Sequence, residues 1–388
     1  MNDFIYLDNA ATTKPYNRLD VGYENRMNHF DIWMNPSSLY SDNLRYIINT
    51  CKNIFINNLI SKEQNEYYDM MFTSGATESN NWVLHNIILN KMNKMYTPTI
   101  ICSPFEHPSI INTLKYYAEK NLVRIEYLEV DHDGHVLLDS VDNAIHDCEM
   151  PCLVTCMWVN NEIGSIQPIK EISEICKEWD VPFHVDATQA VGKIDLLHQC
   201  DGISSMSFSG HKFHGPKNIG GLLIKKDFLS EIGPFIIGGH QQEGYRAGTE
   251  NADIIKWFMH SFLSAQEEVN ELCNYSVIIH DFFETEIKKF FSENEFIINS
   301  KDKTVPIINI SFKDISGEYI VKELAKENIY ISTGSACSTG DLAVSDTIKS
   351  INVPKNYQEG TIRISFDYNT LKSDIIQLIS KIYKIFHN

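Results

Sequence analysis

Apolar positions in the first two thirds of the chain come in short runs separated by amphipathic stretches. The runs at 70–73, 99–103, 124–130, 153–159, 182–187, 203–209 and 220–225 have the length and composition of strands. Residues 78–93, 108–120 and 169–179 instead repeat apolar positions at helical spacing. Strands separated by helices of about 10–15 residues predict βαβ units and a mostly parallel sheet. Further along, the pattern changes to a long amphipathic helix, strands at 308–312 and 361–366, and helices at 317–327 and 370–386. This second part reads as a smaller α+β domain that starts near Ala252 without a Pro, Gly or Ser linker. The expected division is a large α/β domain over 16–255 and a small one built from 1–15 and 256–388.

At 388 residues, with 43% hydrophobic and 22% charged positions, the chain has an ordinary globular composition and can bury a full core. Its formal net charge of −18 disfavours phosphate backbones and anionic lipid as partners. No apolar stretch approaches the roughly 18 residues that span a bilayer. The N-terminus lacks a basic region followed by an apolar one, so the expected location is cytoplasmic. Nine cysteines without a compact framework fit reduced thiols. Cys148, Cys152 and Cys156 do not have the usual metal-site spacing. The run Asp131-His132-Asp133-Gly134-His135 reads as a turn between strands, and no metal is expected.

Three segments carry candidate chemistry. Lys212 lies in Ser209-Gly210-His211-Lys212-Phe213-His214-Gly215-Pro216, a tight turn after a strand. Desolvation there would lower its pKa and free the amine to form a Schiff base, although a loop lysine taken alone is more often a solvated cation. Asp186 ends a strand at the edge where open α/β sheets bind ligands. An acid there can hold a pyridinium nitrogen while the lysine holds an aldehyde; alone, it would serve as a helix cap. The run Ser74-Gly75-Ala76-Thr77-Glu78 offers a helix start whose N–H groups attract anions, and it also fits a capping box without a ligand.

Together these segments resemble the group I cysteine desulfurases, of the class V aminotransferase-like branch of fold-type I enzymes that use pyridoxal phosphate (PLP). The resemblance includes Tyr6 to Thr13, Asn35-Pro36-Ser37-Ser38, Ser74 to Asn81, Glu106-His107-Pro108-Ser109 and Asn160 to Gly164. It continues through Asp186 to Gln189, Ser209 to Pro216, Gly244 to Asn251, Ser335-Ala336-Cys337-Ser338 and Arg363-Ile364-Ser365. It implies a large domain with a mostly parallel, seven-stranded type of sheet, and a smaller α+β domain.

By that resemblance Lys212 is the Schiff-base lysine and moves the substrate Cα proton, His107 stacks on the cofactor ring, and Asp186 pairs with its nitrogen. Gln189 and Asn161 sit near the phenolic oxygen. Ala76, Thr77, Ser209 and His211 hold the phosphate, joined by Thr249 from the second subunit of a homodimer. Arg363 clamps the carboxylate of L-cysteine, with Asn161 and Asn35 also at the substrate. Cys337, flanked by small polar residues in a long loop over about 332–354, takes the substrate sulfur as a persulfide while L-alanine leaves, and His107 is a general acid or base for the thiol. A sulfur-acceptor protein must follow, a scaffold for iron–sulfur assembly or a thiolation enzyme. Relatives that dock a scaffold use a longer C-terminal extension, so a more dedicated acceptor is favoured here. The competing readings are a PLP-dependent aminotransferase, C–S lyase or selenocysteine lyase of the same fold, and a non-catalytic partner protein.

Overall fold

The computed structural model describes residues 4–16, 42–92, 97–333 and 344–387. Strand β1 (Ile5–Tyr6) pairs in parallel with β11 (Ile329–Tyr330). The main sheet contains β2 (Tyr68–Thr73), β3 (Thr99–Cys102), β4 (Arg124–Tyr127), β5 (Pro151–Met157), β6 (Phe183–Asp186), β7 (Ser205–Ser209) and β8 (Gly220–Lys225). Its order is β2-β8-β7-β6-β5-β3-β4. Only β8 runs against its neighbours, so the sheet is mostly parallel, as the alternating pattern predicts.

Both faces of this sheet are covered, which explains why its strands read as nearly unbroken apolar runs. Met70, Phe72, Ile101, Val154, Val185, Met206 and Phe208 point into one cluster, with the helix Asp42–Leu59 and the start of the helix Ala252–Phe290. Met71, Ile100, Cys102, Leu153, Leu222 and Ile224 point into the other, under the helices Ala76–Lys91 and Pro108–Ala118. The alternation of neighbouring residues between the clusters is the period-two pleat of a strand.

A third cluster lies on the antiparallel sheet of β12 (Thr361–Ser365), β10 (Ile307–Phe312) and β9 (Phe296–Ile298), beneath the helices Gly317–Lys326 and Lys372–His387. Leu7 packs into it. The helix Ala252–Phe290 runs without a break from one cluster to the next. Ile255, Phe258 and Phe262 are buried with the seven-stranded sheet, and Ile279, Phe283 and Ile287 with the three-stranded one. The residue-256 division thus falls inside one helix.

The described end of the expected 332–354 loop is not loop throughout. Ser345 caps a short helix, Asp346–Ser350, by accepting a hydrogen bond from the Ile348 N–H at 3.2 Å. Ile348, Ile351 and Val353 are buried against Ile163. Its five residues are too few to show a helical period, so the surrounding polar residues dominate the sequence pattern.

Candidate active site

The carboxyl ends of β2, β6 and β7 meet at one rim. Asp186 is the last residue of β6, Ser209 the last of β7, and Thr73 the last of β2. The connection from β7 to antiparallel β8 opens with a short 3-10 turn, Gly210–Lys212, on the same edge. They open on a cavity of about 880 Å³ that reaches across to β12. Ala76, Thr77, His107, Asn161, Asp186, Gln189, Ser209, His211, Lys212 and Arg363, all singled out from sequence, line it.

At the cavity floor Asp186 is only 4% exposed. Its Oδ1 accepts from the Thr188 N–H and its Oδ2 from the Asn80 amide, each at 2.9 Å. Above it, His107 caps the helix Pro108–Ala118, its Nδ1 accepting from the Ser109 N–H at 3.1 Å. Burial, aided by the Lys212 charge, holds the His107 pKa below its ordinary value, while Asp186 pulls the other way. Lys212 Nζ donates to the Ala10 and Ala11 carbonyls at 2.9 and 2.8 Å. Burial, with Lys212, Lys217 and Lys193, lowers His211 to about 4, so its ring is neutral in neutral solution.

The turn before the helix Ala76–Lys91 is built without a side-chain cap. Gly75 stands at the N-cap position, and Glu78 reaches back to the Ser74 N–H at 2.8 Å while pairing with Arg246, Nε to Oε1 at 2.8 Å. This resembles a capping box, but it leaves the Ala76 and Thr77 N–H groups without an acceptor among the described residues. Such groups, at the positive end of a 16-residue helix beside Ser209 and His211, suit an anion.

Arg363 crosses the mouth from β12, 3% exposed. One terminal nitrogen donates to the Asn161 carbonyl and the other to Asp8 Oδ1, both at 2.8 Å, and Nε is buried without a partner among the described residues. Gln189 likewise gives Nε2 to the Ala10 carbonyl at 2.8 Å and leaves Oε1 without one. Unsatisfied buried polar atoms on a cavity wall are unusual in a finished interior. With a lysine, an acid and a ring that can stack, they fit a planar phosphorylated cofactor.

Thr249 is exposed and does not line this cavity, and Asn35 and Cys337 lie outside the described residues. Several groups were missed in sequence. Asn80, Ser109, Asp8 and Glu106 stand within matched motifs, yet nothing in one chain's pattern shows which of their neighbours they bond. Lys193 lies outside those motifs. It is 4% exposed, its Nζ donates to the Lys212 carbonyl at 3.1 Å, and burial, with Lys212 and Arg363, lowers its pKa to about 7. Among the described residues no group of three or more His, Cys, Asp or Glu side chains could hold a metal ion, and no helix is long and apolar enough to cross a membrane.

A mostly parallel sheet with an acid, a lysine and an anion-accepting helix start on its carboxyl rim defines a pyridoxal phosphate-type transferase fold. The chain belongs to the aminotransferase class-V family, whose model matches residues 5–378, and within it to the cysteine desulfurases, which depend on PLP. It is 35% identical over 395 residues to the cysteine desulfurase IscS of Clostridium botulinum, covering 99% of this chain and 95% of that one. It is 33% identical to the IscS of Methanosarcina thermophila, over 99% and 92%. Among solved structures a NifS-like protein superposes with a TM-score of 0.85 at 28% identity, covering 99% of both chains. SspA in complex with cysteine gives 0.75 at 27%, over 93% and 98%.

Proposed function

We propose that the chain converts L-cysteine to L-alanine and passes the sulfur, by way of a Cys337 persulfide, to an acceptor protein. The observation that carries this reading is the convergence of Lys212, Asp186, His107 and Arg363 on one cavity of a desulfurase fold. The cofactor supplies an electron sink for the charge left at the substrate Cα and Cβ. Asp186 would hold its ring nitrogen, His107 would cover the ring, Gln189 and Asn161 would serve its phenolic oxygen, and Ala76, Thr77, Ser209 and His211 would hold its phosphate. Lys212 moves the proton at the substrate Cα. Arg363, pre-set by Asp8 and the Asn161 carbonyl, clamps the substrate carboxylate, a planar acceptor suited to a two-pronged donor; Asn161 and Asn35 complete that end.

Desulfuration needs a thiolate that attacks the substrate sulfur, so that the carbon–sulfur bond breaks, a sulfur–sulfur bond forms and the released carbon takes a proton. The eight described cysteines suit this badly. All are free and buried or half-buried, burial raises every one of their pKa values, and none lines the cavity. A reactive cysteine has the opposite properties. Of the nine, that leaves Cys337, which sits among Ser, Thr, Gly and Ala.

The working form is a cytoplasmic homodimer. Thr249, exposed and away from its own chain's cavity, would complete the phosphate site of the second copy, and Ile237, 86% exposed on the same loop, is an apolar contact for it. The acceptor is an iron–sulfur scaffold or a thiolation enzyme.

The test is stoichiometric. PLP-loaded wild type and Cys337→Ala are given L-cysteine and a reductant, and alanine and sulfide are measured. Equal amounts from wild type, with sulfide lost in the variant, are expected. Pyruvate and ammonia in place of alanine, or turnover indifferent to Cys337, would make the chain a lyase or transaminase instead.

A further inference from the structure

Beneath the cavity lies a polar connection that the reaction outlined above does not use. Asn80 is fully buried. Its Nδ2 donates to Asp186 Oδ2 and to Ser109 Oγ, both at 2.9 Å. Its Oδ1 accepts from the Ser207 hydroxyl and lies 3.0 Å from His184 Nε2. The amide therefore uses its full hydrogen-bonding capacity, and turning it over would set its oxygen against the Asp186 carboxyl. Having accepted from Asn80, the Ser109 hydroxyl directs its own proton at His107 Nδ1, 2.8 Å away.

That nitrogen also accepts from the Ser109 N–H. A ring nitrogen that receives donors carries no proton, so in the neutral ring the proton sits on Nε2. Nε2 has no hydrogen-bond partner among the described residues, while the ring lines the cavity. The charged groups that act on it are Asp186 at the end of β6 and Lys212 in the turn after β7. Glu106 precedes it, and Lys115 of its own helix shares the cavity wall.

We propose that Asn80 and Ser109 are positioning residues that lock His107 in its Nε2–H tautomer, which makes His107 a hydrogen-bond donor into the cavity and not the base that takes the substrate's thiol proton. To act as that base at Nε2, the ring would have to move its proton to Nδ1, give up the bond from the Ser109 N–H, reverse the one from the hydroxyl and leave that buried hydroxyl's proton without its acceptor. The lock also ties the ring to Asp186, so the two groups that would grip the cofactor's face and nitrogen share one amide. This role rests on the cavity being the desulfurase site.

The lock is tested by 15N NMR of histidine-labelled holoenzyme recorded without cysteine, with His107 assigned by its loss in His107→Gln. The expected wild-type spectrum of the neutral ring has an unprotonated Nδ1 and a protonated Nε2, with the ring's titration displaced below histidine's ordinary value. In Ser109→Ala the backbone N–H still reaches Nδ1 but the hydroxyl's bond is gone, and in Asn80→Ala the hydroxyl is free to turn and accept from the ring, so in both the Nδ1–H tautomer is expected to appear beside the Nε2–H form. There kcat for cysteine falls about tenfold with KM little moved, the loss of one hydrogen bond. Ser109→Thr restores the single tautomer and the rate. A proton on Nδ1 in wild type, ordinary titration of wild-type His107, or a Ser109→Ala spectrum and pH profile identical to wild type would overturn the proposal. If Asn80→Ala does not fold, the wild-type spectrum and the Ser109 pair decide alone. Because the spectrum needs no substrate, it judges the lock even if the reaction proves to be another.

Discussion

Gly220 and Gly75 stand so close that a Cβ on Gly220 would lie 2.6 Å from the Gly75 Cα. Gly220 begins β8, where it pairs with Thr73 on one side and Ser209 on the other, so it sits under the turn that opens the helix Ala76–Lys91. The backbone of the proposed phosphate site rests on a position where any side chain would push it away.

Gly220→Ala should therefore lower stability by about 1–3 kcal/mol, as overpacking does, and weaken PLP binding. Denaturant unfolding of the apoprotein and a spectral PLP titration check both effects. A variant equal to wild type in the two would show that the turn does not depend on this contact.

Arg363→Lys keeps the charge and loses the fork. One amine cannot hold both the Asp8 carboxyl and the Asn161 carbonyl while still offering paired donors to a substrate carboxylate. KM for L-cysteine should rise at least about tenfold, the loss of one charge-assisted hydrogen bond. Steady-state kinetics decide; an unchanged KM would remove Arg363 from the substrate site.

Glu106 gives a pH-dependent prediction. It is buried, Oε1 accepts from the Ser103 hydroxyl and from the Met157 N–H at 2.6 Å, and Oε2 has no partner among the described residues. Burial raises its pKa from 4.5 to about 8, with Asp186 adding to the rise. The unfolded chain thus ionises at a pH where the folded one still holds its proton, so this group costs stability progressively between those two values. Glu106→Gln, neutral throughout, should match wild type near pH 4.5, gain on it by a few degrees in Tm as pH rises toward about 8, and then hold a constant lead. A lead independent of pH would place the effect in packing.

Much of the fold is legible in sequence because strands buried on both faces and amphipathic helices carry strong periods. The seven strands of the main sheet and the helices at 76–91, 108–118 and 169–178 fall within a few residues of their predicted places. The antiparallel course of β8 is not legible, since its apolar run is the same in either direction. Nor is the helix Asp346–Ser350, too short to show a period. At the site, Lys212, Asp186, His107 and Arg363 carry motif signals, and the cavity gathers them. Asn80 and Lys193 act through partners 19 to 127 residues away, and such pairings exist only once the sheet has formed. Asn35 and Cys337, which lie outside the described residues, rest on sequence alone.

His135 tests how the turn over 131–135 is tied to the rest of the molecule. The turn itself matches its sequence reading: Gly134 has φ +82°, and Asp131 Oδ1 accepts from the Asp133 and His135 N–H groups at 2.9 and 2.8 Å. The His135 ring then bridges two acids, Nε2 to Asp302 at 2.9 Å and Nδ1 to Asp131 at 3.3 Å. Asp302 also accepts from the Ile166 N–H at 2.7 Å, so one carboxyl joins three segments. The Asp302 bond raises the His135 pKa from 6.5 to about 9, with Asp131 adding to it and burial opposing. Because the folded pKa is the higher one, the stabilisation is complete below about 6.5 and is lost as pH rises through about 9. His135→Gln should melt about 2–4 °C below wild type at pH 6.5 and converge with it above pH 9. Melting curves of both proteins across that window provide the check: a constant gap would mean the ring contributes by shape, and a gap that widened with pH would mean that His135 is held neutral and that the two acids repel each other across it.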